Sequence, residues 1–374
     1  MEQGFLKTHD NTQIFVYAWT DVENPKGIVQ IFHGMAEHAG RYERFAKFLN
    51  KNGYLVFADD HRAHGKTAGV VTEVGKYNQD SNCFYDTLLD EVLISKKLVE
   101  EYKLPLYVFG HSYGSFIAQA YIQDCQVYEK AILCGSALMK DRMDVKFGKM
   151  VAKLTAKHKG KDAPARLVHK ASFGAYDKKV KTGSWLNTDA EEVKRYINDP
   201  YCGTVMSAKF YVDFFRTFDW VYHKKHIERI NLDKPIFLIS GKDDPVGNMG
   251  KSVQNLYKFY LGLGVKEVKM RLYKDARHEI LNEPIREQVY LDVLNFIESD
   301  TSVSLEENVQ TDISEKLIFD ERQKKYSKEL QPKLQKLTVK NATSKKAIEK
   351  KACARKKDNS TKKTIVIKQK KDLT

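Results

Sequence analysis

Three stretches of this chain carry residue types that could perform covalent chemistry together. The first is Leu106-Tyr107-Val108-Phe109-Gly110-His111-Ser112-Tyr113-Gly114-Ser115. An apolar run ends in a Gly-x-Ser-x-Gly pattern, and Phe116, Ile117, Ala120 and Tyr121 follow at helical spacing. A serine between a strand end and a helix start sits in a constrained backbone. Gly110 and Gly114 fit that reading, because side chains there would collide with the neighbouring strand and helix. Such a serine is suited to attack a carbonyl carbon. That chemistry also needs a histidine base, a carboxylate to orient it, and N–H donors for the oxyanion. The plain alternative is a Gly/Ser turn in some other α/β protein.

The other parts are present. Among eleven histidines, His278 lies in Asp275-Ala276-Arg277-His278-Glu279-Ile280-Leu281, a loop between the last expected strand and the last expected helix. Gly241-Lys242-Asp243-Asp244-Pro245-Val246 follows another strand directly. Both aspartates are placed to orient a histidine, and the Asp-Pro turn favours Asp244. The order Ser112, Asp244, His278 is that of a hydrolase triad built on an open α/β sheet. The oxyanion donors are expected to be the backbone N–H of Tyr113, after the nucleophile, and that of Met35, in the loop His33-Gly34-Met35. Gly34 permits the turn, and His33 reads as a loop histidine that supports it by hydrogen bonding.

These residues need a scaffold, and the hydrophobic pattern supplies one. Residues 4–19 alternate in part around Asp10-Asn11-Thr12, as in a hairpin. Short apolar runs at 28–32, 54–58, 106–109, 130–134, 234–241 and 266–273 read as strands. Helical patterns at 41–52, 80–103, 115–123 and 285–299 separate them, which predicts a mainly parallel sheet with helices on both faces. Between residues 137 and 222 the rhythm stops. Helical stretches at 144–157, 188–198 and 207–224, rich in aromatic and basic residues, read as an inserted helical cap of about 85 residues.

Bulk properties narrow the setting. The 374 residues suffice for one large α/β domain and an extension. The formal net charge is +14, and residues 301–374 alone hold 20 Lys/Arg against 10 Asp/Glu. The basic character is therefore mainly that of a C-terminal extension, read as a solvated, partly disordered tail with a helical stretch at 315–337 and a short strand at 364–367. Its lysine pairs lack interleaved aromatics. That suggests non-specific attraction to anionic lipid or RNA; peripheral contact with an anionic membrane is the partner expected, and nucleic acid is not. Cys83, Cys125, Cys134, Cys202 and Cys353 have neither paired nor metal-like spacing, so reduced thiols in a cytoplasmic protein are expected. Neither a signal peptide nor a membrane span is expected from the hydropathy.

Residues 1–300 resemble the α/β-hydrolase superfamily, and within it the monoacylglycerol lipase and bacterial lysophospholipase group, whose relatives include serine aminopeptidase-like hydrolases. The resemblance rests on four motifs in order: His33-Gly34-Met35-Ala36-Glu37-His38-Ala39-Gly40-Arg41-Tyr42, Gly110 to Ser115, Gly241 to Gly247, and Arg277-His278-Glu279-Ile280-Leu281-Asn282-Glu283. Ser184-Trp185-Leu186 and Asp199-Pro200-Tyr201-Cys202-Gly203 resemble the bacterial branch of the group. One departure is Ala63 in Asp60-His61-Arg62-Ala63-His64-Gly65, where the family pattern has glycine; a slightly altered loop with retained activity is expected. The resemblance implies a cap, about 138–222, over an apolar acyl pocket walled by Phe147, Met150, Leu154, Phe210, Phe214, Phe215, Phe218 and Trp220. For each of these, packing of the cap onto the body is the competing role. The implied guest is a single-chain acyl ester, and the implied chemistry uses no metal or cofactor. An aminopeptidase of the same fold is the alternative within the family. A membrane- or RNA-binding protein acting through its tail is the alternative outside it.

Overall fold

The computed structural model describes residues 1–180 and 182–299. The expectations for residues 301–374 lie outside the described residues. The chain opens with antiparallel strands β1 (Glu2–Lys7) and β2 (Gln13–Trp19), joined by a turn in which Asn11 takes φ 67°. Then come β3 (Gly27–Phe32), α1 (Glu43–Lys51), β4 (Tyr54–Asp60), α2 (Cys83–Tyr102), β5 (Leu106–His111), α3 (Tyr113–Asp124) and β6 (Tyr128–Cys134). The five helices α4 (Met143–Lys159), α5 (Arg166–Tyr176), α6 (Ala190–Asn198), α7 (Ala208–Val221) and α8 (Lys224–Ile227) precede β7 (Ile236–Gly241). The described fold closes with α9 (Lys251–Leu263), β8 (Val268–Tyr273) and α10 (Arg286–Glu298).

The strands form one sheet in the order β1-β2-β4-β3-β5-β6-β7-β8, parallel from β4 onward. Every residue of β3, β4 and β7 is buried, as expected of largely apolar strands covered on both faces, and the polar Gln30, Asp59, Asp60 and Ser240 are buried with them. The two faces hold separate apolar clusters. Leu88 and Ile94 of α2 and Ile117 and Tyr121 of α3 belong to one; Phe45 and Leu49 of α1 and Val289 and Val293 of α10 belong to the other. The chain runs from β3 to β4 on one side and later enters β5 on the other. Strand order therefore reverses between β3 and β5, where ligands enter open α/β sheets. Parallel register pairs Phe32 with Gly110, His111 with Cys134, and Gly241 with Tyr273. The loops after β3, β5, β6, β7 and β8 thus share one edge.

Three helices lie beyond the sequence expectations, α5, the short α8 and α9. In the cap, α7 lies on the body through Phe210, Phe214 and Phe218, which are buried. Their rings stand 5.3 to 5.8 Å from those of Tyr113 and Phe116. Helices α4 and α7 approach closely at Gly148, where a Cβ would lie 2.7 Å from Phe215 Cζ. Two parts of the expected acyl wall are corrected here. Phe210, Phe214 and Phe218 are packing residues. Phe147, Met150 and Leu154 lie on the outer face of α4, about half exposed, because their 3–4-residue spacing faces away from α7.

Candidate active site

The turn after β5 is shaped by backbone crowding. Ser112 takes φ 51° and ψ −114°, a conformation that costs a non-glycine residue of order 1–3 kcal/mol and persists only when its surroundings enforce it. Here they do. A Cβ on Gly114 would fall 2.0 Å from the Phe32 carbonyl oxygen, and one on Gly110 would fall 2.5 Å from the Gly114 oxygen. The Ser112 amide donates to the Cys134 carbonyl at 2.9 Å, tying the turn to β6. The Ser112 carbonyl accepts from the amide and the hydroxyl of Ser115, at 2.9 and 2.6 Å. The serine is thus fixed at the mouth of the sheet and is only half-buried.

Asp244 and His278 meet across the next two loops. Asp244 is fully buried, whereas Asp243 is exposed. One Asp244 oxygen accepts from the Val246 amide at 2.8 Å; the other lies 3.2 Å from the Ser240 hydroxyl and 2.8 Å from His278 Nδ1. The carboxylate can only accept, so Nδ1 carries the proton and Nε2 is left as the basic nitrogen. Gly241, at the end of β7, gives the loop carrying His278 its seat, since a Cβ there would lie 2.1 Å from the Arg277 carbonyl oxygen. The His278 ring lies 4.8 Å from that of His111, the residue before the serine, and 5.0 Å from that of Trp185 in the cap.

The loop after β3 is wired by its own side chains. His33 Nδ1 donates to the Gly34 carbonyl at 2.7 Å, and Nε2 accepts the His61 amide at 2.9 Å. Burial, reinforced by His61 and His64, holds the His33 pKa well below the ordinary histidine range, so the ring is neutral, as these partners require. Met35 N–H donates to no backbone or side-chain acceptor among the described residues. Tyr113 N–H, at the first residue of α3, has no acceptor within its own helix. Both amides are therefore available to an incoming oxygen.

Behind the loop, Glu37 Oε1 accepts the Gly34 amide at 2.6 Å and the Tyr42 hydroxyl at 2.8 Å. Arg41 joins Glu37 to Glu279, which it holds with two bonds of 2.6 and 2.9 Å. His111 lies 3.3 Å from Glu37 through Nδ1 and 3.3 Å from the His278 carbonyl through Nε2. Burial opposes ionisation at His111, but the adjoining Glu37 carboxylate outweighs it and raises the pKa. Burial likewise opposes ionisation of Glu37, and the Arg41 charge overrides it. The sequence reading assigned no role to Glu37, Arg41, His111, Glu279 or Trp185. All five lie inside motifs it singled out, and the missing signal was which of them touch.

The expected residues therefore form two groups on one edge. Ser112, Tyr113, Gly110, Gly114, Met35, Gly34 and His33 gather at the ends of β3 and β5; Asp244 and His278 pair after β7 and β8. The sequence profile of serine aminopeptidase, S33, a family of hydrolases, matches residues 23–285. The chain belongs to this hydrolase family. It has the α/β-hydrolase fold and is similar over 285 residues, at 28% identity, to a monoacylglycerol lipase of Mycolicibacterium smegmatis. That match covers 75% of this chain and 91% of the relative. Human monoglyceride lipase is 34% identical over 114 residues, which are 30% of this chain and 35% of that one. Among solved structures, a thermostable carboxyl esterase from Bacillus coagulans, in complex with glycerol, superposes with a TM-score of 0.71 at 26% identity. It covers 79% of this chain and 97% of its own.

The departure at Ala63 has a physical reading. Its φ is 67°, in the left-handed region where glycine is free and alanine is strained, and it is buried. The neighbouring Arg62 is also buried and forks onto Asp90 at 2.6 and 2.9 Å, anchoring the loop at the strained residue.

Proposed function

We propose that this protein is a serine carboxylic-ester hydrolase acting on single-chain acyl esters, monoacylglycerols or lysophospholipids, through an acyl-enzyme on Ser112. The observation that carries the reading is the 2.8 Å His278–Asp244 bond on the same sheet edge as a serine held at φ 51°. With Nδ1 engaged, His278 Nε2 takes the Ser112 proton as the oxygen attacks the ester carbonyl. The Met35 and Tyr113 amides receive the oxyanion. His278 then gives the proton to the leaving alcohol and draws one from water for deacylation. Each step moves a proton between named atoms, and no metal or cofactor enters it.

The apolar surroundings support an acyl chain as guest. Trp185, Leu186 and Val246 form a cluster flanked by Phe173, Tyr176 and Val180, and it adjoins His278 through Trp185. The exposed Met143, Phe147, Met150 and Leu154 on α4, with lysines at 146, 149, 153 and 157, suit an amphiphilic substrate presented in an aggregate. The relatives' names, monoacylglycerol lipase and carboxyl esterase, agree with an ester. We place the cap at about 138–222 and the catalytic body in the remainder of residues 1–300.

A fluorophosphonate probe is expected to label the wild type and leave Ser112→Ala unlabelled. Turnover on monoacylglycerols and lysophospholipids should exceed that on aminoacyl amides. Equal labelling of both proteins would reject the nucleophile, and preferred amide cleavage would reject the ester.

A further inference from the structure

Beyond the catalytic pair, two clusters of metal-capable side chains converge among the described residues. Asp59, His61 and Glu91 are sealed in the core, where His61 Nε2 donates to the His33 carbonyl and Nδ1 faces both carboxylates. There His61 pairs with both carboxylates at 3.2 Å, and full burial closes the group to an ion from solvent. His38, Asp199 and Cys202 are instead partly exposed, with His38 and Asp199 side chains 16% and 28% exposed, and His38 and Asp199 lie 161 residues apart in the chain.

We propose that His38 Nε2, an Asp199 carboxylate oxygen and Cys202 Sγ form an inhibitory site for a borderline transition-metal ion, Zn²⁺ foremost, which clamps the cap to the loop carrying Met35. The three ligand atoms lie within 4.8 Å of one another. A tetrahedral zinc, with bonds of about 2.0–2.3 Å, sets its ligand atoms about 3.3–3.7 Å apart. Closing onto the ion therefore takes side-chain shifts of about 1 Å. Imidazole, carboxylate and thiolate together select Zn²⁺ or Co²⁺ over Mg²⁺ and Ca²⁺, and leave a fourth position for water.

The backbone already holds these ligands in place. The Cys202 amide donates to the Asp199 carbonyl at 3.0 Å, closing a turn. The Tyr201 amide donates to Asp199 Oδ1 at 2.9 Å, and Oδ2 faces His38 Nε2 at 2.8 Å. The same cap segment is fastened to the oxyanion loop: the Gly203 amide and the Tyr196 hydroxyl both donate to the Ala36 carbonyl at 2.9 Å. Arg41 lies against Tyr196, 4.9 Å from its ring, but its charge is taken up by Glu37 and Glu279. Burial pushes the Cys202 thiol up, so metal binding must displace its proton to water as the metal–sulfur bond forms.

Inhibition follows from access, and this step rests on the ester-hydrolase reading. His278 is 2% exposed beneath Trp185, so a substrate reaches the base only by displacing cap segments. A metal that pins residues 199–203 to residues 33–38 opposes that displacement.

The test uses the full chain, freed of metal by a chelator, with Co²⁺ as the spectroscopic probe. We expect a thiolate-to-cobalt charge-transfer band that Zn²⁺ displaces and that Cys353→Ser retains. Cys202→Ser should abolish the band. His38→Gln and Asp199→Asn, which keep the thiol, should weaken metal affinity by ~10-fold or more. Saturating Zn²⁺ should lower monoacylglycerol turnover by ~10-fold, with recovery on chelation. A wild type without the band, or the same band in Cys202→Ser, overturns the site. A saturated band with unchanged turnover overturns the clamp. The cobalt spectrum needs no substrate, so failure of the ester reading is told apart from failure of the site.

Discussion

Replacing Gly114 with alanine measures how tightly the nucleophile turn is wedged. The added Cβ would lie 2.0 Å from the Phe32 oxygen, 2.4 Å from the Phe32 carbonyl carbon and 2.6 Å from the His33 oxygen. All three are backbone atoms, at the end of a wholly buried central strand. Ordinary contact begins at 3.4 Å, so the first turn of α3 and the end of β3 must separate by about 1.4 Å in a close-packed region. Overpacking commonly costs about 1–3 kcal/mol, and with no flexible side-chain end to yield, the loss is expected at or above about 3 kcal/mol. The separation also moves the Tyr113 amide relative to Met35. A misplacement of about 1 Å in the catalytic geometry costs ~10²-fold in rate. Urea titration followed by tryptophan fluorescence reads the first effect. Turnover of a short p-nitrophenyl ester, corrected for the folded fraction, reads the second. Gly262→Ala is the control: nothing lies within 4 Å of its Cβ, and α9 should gain about 0.5–1 kcal/mol with turnover unchanged. A Gly114→Ala protein with the wild-type midpoint and turnover would refute the crowding argument.

Two further outcomes are expected. Ala63→Gly relieves a left-handed alanine worth about 1–2 kcal/mol but adds freedom to the unfolded chain worth about 0.4–1 kcal/mol, so a net gain of about 0.5–1 kcal/mol should appear as a higher urea midpoint. His64 is buried, and burial first, with the neighbouring His61 charge, lowers its pKa to about 4. The unfolded chain then binds a proton that the folded chain refuses. The stability contributed by neutral His64 is complete above pH about 6.5 and falls as pH drops toward 4, by up to about 3 kcal/mol. His64→Gln should flatten that part of the stability–pH profile; an unchanged slope would show that other groups set it.

The sheet was legible because strands covered on both faces are predominantly apolar, as β3, β4 and β7 are apart from Gln30, Asp59, Asp60 and Ser240. The order of the chemical residues was legible because parallel strands bring their following loops to one edge. Helix α9 carried a readable signal, Val253, Leu256 and Tyr260 at helical spacing, that the sequence reading passed over. Helix α5 buries only Val168, so its apolar face is too slight to stand out. The roles of the cap aromatics were not legible. Phe147 and Phe214 are alike in sequence, yet one faces solvent and the other packs on Phe116, and only the packing of α7 on the body separates them. The tie of Arg41 to Glu279 and the pairing of Arg62 with Asp90 join residues distant in sequence, which no local pattern announces.

Glu37 touches the Gly34 amide, Tyr42, Arg41 and His111, and through them the serine strand and the base loop. In combinatorial mutagenesis these positions behave as one variable. Randomising the oxyanion loop, His111 or Glu279 separately samples mostly broken combinations, because each library holds two of the three fixed against a partner that has changed. Libraries that vary Glu37, Arg41, His111 and Glu279 together should yield active members at a higher frequency than the product of their single-site frequencies.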